Sequence, residues 1–166
     1  MSVNFFREAC KTESNNEVFG ICDDPPPATE PAYIDEDNSA LWIAIVNNST
    51  SHTVEFYAID HCVPIHKEDG NMESRCDGML LYSNKLIFIE LKERKKGQWF
   101  KKGREQLTAT INRFKSENDL MVYDKVEAYV CNSLKPLANM GQMENIQRFK
   151  NETGLILKSD QKINLS

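Results

Sequence analysis

The stretch from Asp77 to Lys92 limits the fold of this chain more than any other. Met79-Leu80-Leu81-Tyr82 and Leu86-Ile87-Phe88-Ile89 are apolar runs separated only by Ser83-Asn84-Lys85, a tight-turn signal. The second run is almost unbroken as far as Leu91, the pattern of a strand buried on both faces. Such a strand belongs inside a covered sheet. Glu90 interrupts its end, and a carboxylate there is penalised unless it is paired or bound to a cation.

The rest of the chain supplies partners for that sheet. Leu41–Val46 and Thr53–Ile59 read as strands, joined by the turn cluster 47–51 and expected to pair as a hairpin. From Gly97 to about Glu117 the period becomes helical, with Phe100, Leu107, Ile111 and Phe114 on one face. Asp124–Cys131 reads as a strand, Met143–Phe149 as a short helix and Leu155–Leu157 as a last strand. The expected class is α/β, a mixed central sheet flanked by helices. Residues 1–33 read as a leader with a short helix from Asn4 to about Lys11. A connector with four prolines between Pro25 and Pro31 follows. The main domain is expected over 34–160, with a polar tail at 161–166.

With 166 residues and 40% hydrophobic content, one core is enough. No apolar run approaches the roughly 20 residues of a membrane span, so no membrane role is expected. The N-terminus lacks the basic start and apolar stretch of a signal peptide, which makes a cytoplasmic location the expectation. The odd set Cys10, Cys22, Cys62, Cys76 and Cys131 follows no disulfide framework and reads as free thiols. Net charge is −5, yet residues 92–104 hold seven basic residues and one acid, so the remainder carries −11. That contrast points to a local anion footprint rather than a diffuse field. Its bland counterpart is a solvated, lysine-rich loop and helix start.

Asp77 precedes the first apolar run, while Glu90 and Lys92 lie two apart on the second and so share a face. The tight turn folds Asp77 back towards Glu90, bringing two carboxylates and one ammonium to one spot. Oxygen donors of this kind suit Mg²⁺ or Mn²⁺. Asp77, twelve intervening residues and then Glu90-Leu91-Lys92 resembles the D…ExK signature of the PD-(D/E)XK nuclease superfamily. Restriction endonucleases and Holliday-junction resolvases belong to it. The resemblance covers roughly half the chain and implies a restriction endonuclease-like αβββαβ core. It also implies metal ligation by Asp77, Glu90 and the Leu91 carbonyl, with Lys92 as the catalytic cation. Gln106 matches the supporting Gln of the following helix, on a polar face with Thr110 and Arg113. Cys76 stands where the family's name has Pro. The family's acid from a first helix has no clear counterpart, only Glu17, Glu36 and Glu55 as candidates.

Lys95, Lys96, Lys101, Lys102 and Arg104 flank Trp99 and Phe100, a combination suited to phosphate contact and base stacking. Phe100 falls on the apolar stripe, where packing is the plainer role; for Trp99 the two roles are balanced. The implied activity is metal-dependent hydrolysis of DNA or RNA, with nucleic acid, DNA first, as partner. Related nucleases often act as homodimers. The competing reading is a nuclease-fold protein without turnover, which binds a protein partner in defence, immunity or regulation. Less is to be said for zinc at His61, Cys62, His66 and Cys76, whose spacing matches no common finger. A Cys62 or Cys76 nucleophile ranks lower again. Asp60 is a further candidate acid for the site.

Overall fold

The computed structural model describes residues 2–135 and 142–166. In chain order the strands are β1 (Lys11–Ser14), β2 (Val18–Cys22), β3 (Tyr33–Asp35), β4 (Ala44–Asn47), β5 (Val54–Ala58), β6 (Gly78–Tyr82), β7 (Lys85–Lys92), β8 (Lys125–Asn132), β9 (Leu157–Ser159) and β10 (Lys162–Asn164). The α-helices are α1 (Trp99–Glu117) and α2 (Met143–Thr153). One sheet has the order β1-β5-β6-β7-β8-β9 and the other β10-β4-β2-β3. Each is mixed, parallel at β7-β8-β9 and at β10-β4 and antiparallel elsewhere. Among the described residues the protein is thus mixed α/β, with two mixed sheets and two α-helices.

β6 and β7 form a hairpin turned by Ser83 and Asn84, whose φ values of 45° and 58° are the left-handed pair of a type I′ turn. The twist of that turn matches the twist of the strands it joins. Leu86 to Leu91 is buried, so β7 is covered on both faces. A parallel partner needs a crossover, and α1 provides it between β7 and β8. Its stripe of Phe100, Leu107, Ile111 and Phe114 is buried against the sheet. Phe114 anchors one end, meeting the rings of Phe5, Phe6 and Phe88 at 5.2, 6.0 and 5.3 Å. At the other end Gly103 permits close approach, because a Cβ there would lie 2.9 Å from Val130 Cγ2 on β8.

The termini depart from the sequence reading. The presumed leader builds one strand of each sheet: β1 pairs with β5, and β2 lies between β4 and β3. Phe5 is buried on Phe114, so its apolar side chain is spent on the core rather than on a local helix; only Glu8–Cys10 forms a 3₁₀ turn. The presumed polar tail is β10, parallel to β4, with Ile163 and Leu165 buried. The expected hairpin of 41–46 with 53–59 does not form, since β4 and β5 lie in different sheets. Asn48 holds the crossing: its buried amide donates to the His52 and Asn16 carbonyls and accepts from His52 N–H. Cys10 and Cys62 are joined as a disulfide, against the free-thiol expectation. They lie 52 residues apart in sequence, and no local spacing marks the pair. Cys22, Cys76 and Cys131 are free and buried. Among the described residues no helix is long and apolar enough to cross a membrane.

Candidate active site

Hairpin register builds the site. Gly78 is opposite Ile89, so one step further Asp77 is opposite Glu90, on the same face. Asp77 N–H donates to Glu90 Oε1 at 3.1 Å, and Leu91 N–H donates to Asp77 Oδ2 at 2.7 Å. Lys92 Nζ lies 3.0 Å from Glu90 Oε2 and donates to Gln106 Oε1 at 2.7 Å. Gln106 Nε2 in turn donates to the Arg75 carbonyl at 3.3 Å, and Thr110 Oγ1 accepts from Cys76 N–H at 2.8 Å. One polar row of α1 therefore holds both the lysine of β7 and the chain leading into β6. The structure brings Asp77, Glu90, Leu91, Lys92 and Gln106 together in one cleft of about 380 Å³.

The connector adds an acid that sequence reasoning passed over. Asp23 lines the cleft with Asp77, and each of the two carboxyls influences the titration of the other. Its signal was the acid pair Asp23-Asp24 at the exit of an apolar run; proline content drew the segment towards a passive role. Glu17, Glu36 and Glu55 do not line the cleft. Glu36 accepts from Ser14 Oγ at 2.6 Å and Glu55 pairs with Lys11 at 3.3 Å. Asp60 does line it, paired with Arg75 at 3.1 Å.

Burial governs the electrostatics. Asp77 and Glu90 are 7% and 3% exposed. Burial first, then the charges of Glu90 and Asp23, push the Asp77 carboxyl well above the ordinary carboxylate range. Burial also raises Glu90, against the pull of Lys92, and raises Asp23. Acids outnumber bases in the lining of the cleft, and burial with mutual repulsion favours the protonated forms of Asp23, Asp77 and Glu90 relative to free carboxyls. A hard divalent cation suits that excess of acids, and the donors are all oxygens. Among the described residues no three His, Cys, Asp or Glu side chains close around a common point. The acidic oxygens are instead turned to backbone N–H groups and to Lys92.

The basic run divides. Lys95, Lys96 and Lys101 line a second cleft of about 480 Å³ together with Lys135, which the sequence reading did not include. Lys102 is exposed. Trp99 is 6% exposed and packs edge-on to Phe100, itself 3% exposed, so neither ring is presented for base stacking. Arg104 is 4% exposed; its Nε donates to Asn145 Oδ1 at 2.9 Å and its guanidinium lies near the carboxylates of Glu105 and Glu152. It ties α1 to α2 and is not available to a phosphate. Cys62 is spent in the disulfide, which removes it as a zinc ligand or nucleophile. Burial raises the Cys76 thiol well above its ordinary value, so it is not an activated thiolate.

No protein-family model, curated protein or solved structure matches the chain.

Proposed function

We propose that this protein is a metal-dependent nuclease that hydrolyses phosphodiester bonds of nucleic acid, DNA in the first instance, at Asp77, Glu90 and Lys92. The observation that carries the reading is the opposition of Asp77 and Glu90 across the hairpin, with Lys92 on the same face and braced by Gln106. The run β5-β6-β7-α1-β8 is consistent with the later part of a restriction endonuclease-like core. The departure is at its start, where no α-helix precedes the sheet among the described residues.

In this reading Asp77, Glu90 and the Leu91 carbonyl would hold Mg²⁺ or Mn²⁺, with Asp23 at hand. A bound cation of this type polarises a phosphoryl oxygen and lowers the pKa of bound water. Lys92 stabilises charge that builds on the phosphoryl oxygens during attack. Gln106 keeps the ammonium aimed into the cleft instead of letting it collapse fully onto Glu90. A homodimer is the assembly proposed for cutting two strands. The Cys10–Cys62 bridge stands against a strongly reducing compartment.

A second reading draws on the absence of three converging acidic or imidazole side chains among the described residues. It is a nuclease-fold binding protein without turnover, whose partner is another protein. Cleavage of labelled single-stranded, duplex and branched DNA, and of RNA, with Mg²⁺ or Mn²⁺ separates the two. The nuclease cuts at least one substrate, and Lys92→Ala loses at least about 100-fold in rate, as removal of one charge-stabilising group does. Mn²⁺ raises the melting temperature of the wild type but not of Glu90→Ala. Stabilisation by metal without cleavage of any substrate selects the second reading.

A further inference from the structure

The lysine-lined cleft is separate from the acidic one, and its construction calls for an occupant. Lys95 and Lys96 come from the loop after β7, Lys101 from the first turn of α1 and Lys135 from the segment after β8. Among the described residues none of the four has an ion-pair partner and no carboxylate lines the cleft. Left alone, like charges on separate loops drift apart. Here a buried amide ties the loops together. Asn132, fully buried at the end of β8, accepts at Oδ1 from Arg94 N–H at 3.2 Å, Leu134 N–H at 3.1 Å and Lys135 N–H at 3.3 Å. Its Nδ2 donates to the Arg94 carbonyl at 2.7 Å, and Ser133 N–H donates to the Lys92 carbonyl at 3.1 Å. The backbone leading into Lys95 and Lys96 and that of Lys135 are therefore held together before any anion arrives.

Lys95 is three residues from Lys92, so their Cα atoms lie within about 11 Å. A strand whose scissile phosphodiester rests at Glu90 and Lys92 thus has a neighbouring phosphate within reach of the lysine cleft. Trp99 and Phe100 contribute to the lining, but both residues are buried, and the lining is mainly polar. The cleft's charged lining residues are all lysines and its aromatic residues are buried, which suits a phosphate better than the exposed apolar anchors of a peptide. We propose that the cleft formed by Lys95, Lys96, Lys101 and Lys135 is a phosphate subsite. It takes a phosphate of the same strand that the acidic site cleaves. The inference rests on the nuclease reading for the position of that strand.

The test is fluorescence anisotropy of a short labelled single strand in EDTA, which stops any cleavage. The strand is made with a 5′-phosphate, with a 3′-phosphate and with neither. The double variant Lys95→Ala/Lys135→Ala is expected to bind about tenfold more weakly and to lose about 1.4 from the salt slope, the share of two phosphate contacts. Lys162→Ala, an exposed lysine on β10, is expected to bind as the wild type does. A preference for one phosphorylated end, lost in the double variant, identifies a terminal phosphate. Equal binding of all three strands, equally weakened, identifies an internal one. Unchanged binding by the double variant overturns the subsite. So does equal weakening in Lys162→Ala, or displacement of the strand by polyglutamate as readily as by unlabelled strand. Wild-type cleavage with Mn²⁺ is scored separately. Cleavage with lysine-independent binding overturns this inference alone. Lysine-dependent binding without cleavage overturns the nuclease reading and leaves the cleft as a phosphate site unconnected with cleavage. Absence of both overturns both.

Discussion

Asp77 and Glu90 are opposed, buried and served by a single lysine, so their charge is a cost to the metal-free fold. Both carboxyls have raised pKa values, with burial the leading cause. The folded protein therefore holds protons at pH values where the unfolded chain has released them, and stability falls as pH rises. The contribution is whole below the ordinary carboxylate range, about pH 4, and is lost as pH climbs through the raised values. In chelator, the melting temperature is expected to drop over that climb. Asp77→Asn keeps an oxygen for Leu91 N–H and removes the charge. It is expected to melt higher than the wild type at neutral pH, by about 2–4 °C per kcal/mol gained, and to show a flatter pH dependence. A lower melting temperature for Asp77→Asn at neutral pH would refute this account. The residues themselves were legible in sequence because Asp77, Glu90 and Lys92 are joined by one hairpin, whose geometry follows from its turn and its alternation. Asp23 was not, because it reaches Asp77 from another sheet across more than fifty residues.

Helix α1 carries two functions on two rows. The apolar row seats it on β7 and β8, and the polar row supplies Gln106 and Thr110 to the site. Gly103 sets how closely it lies. Alanine is the better helix former by about 1 kcal/mol, yet its Cβ would press on a branched valine with little room to turn. Overpacking costs about 1–3 kcal/mol, so Gly103→Ala is expected to destabilise on balance. The companion Val130→Ala removes the obstacle. A double-mutant cycle by urea denaturation should then return a favourable coupling between the two changes. Additive effects would mean that the helix shifts freely over the strand. The periodicity that marked this helix was plain in the sequence, since every third or fourth residue is local information. The fate of its first two turns was not. Trp99 and Arg104 stand among lysines in sequence but turn inward, because the sheet and α2 offer them burial and an ion-pair partner.

Across the molecule, the chain ends knit the two sheets into one core. β1 and β2 belong to different sheets, β10 closes an edge of β4, and the Cys10–Cys62 bridge ties the turn before β1 to the loop after β5. A link across 52 residues restrains the unfolded chain strongly. Cys10→Ser/Cys62→Ser is expected to lose about 2–4 kcal/mol in chemical denaturation. In the native wild type, a thiol reagent should find few reactive groups, since the free cysteines are buried. A variant as stable as the wild type would show that the bridge adds nothing to the fold.

The hairpin at 78–92, the crossover helix and the strand that follows could be read from the amino acids because turn chemistry and hydrophobic period act over a few neighbouring residues. Those same local rules placed two carboxylates and a lysine on one face. They could not say that the first thirty residues supply two strands, that the last six close a sheet, or that a buried asparagine gathers two lysine-bearing loops. Such pairings join segments distant in sequence. They are settled by which surfaces bury each other and which backbone groups must find partners, and only the folded chain brings those surfaces together.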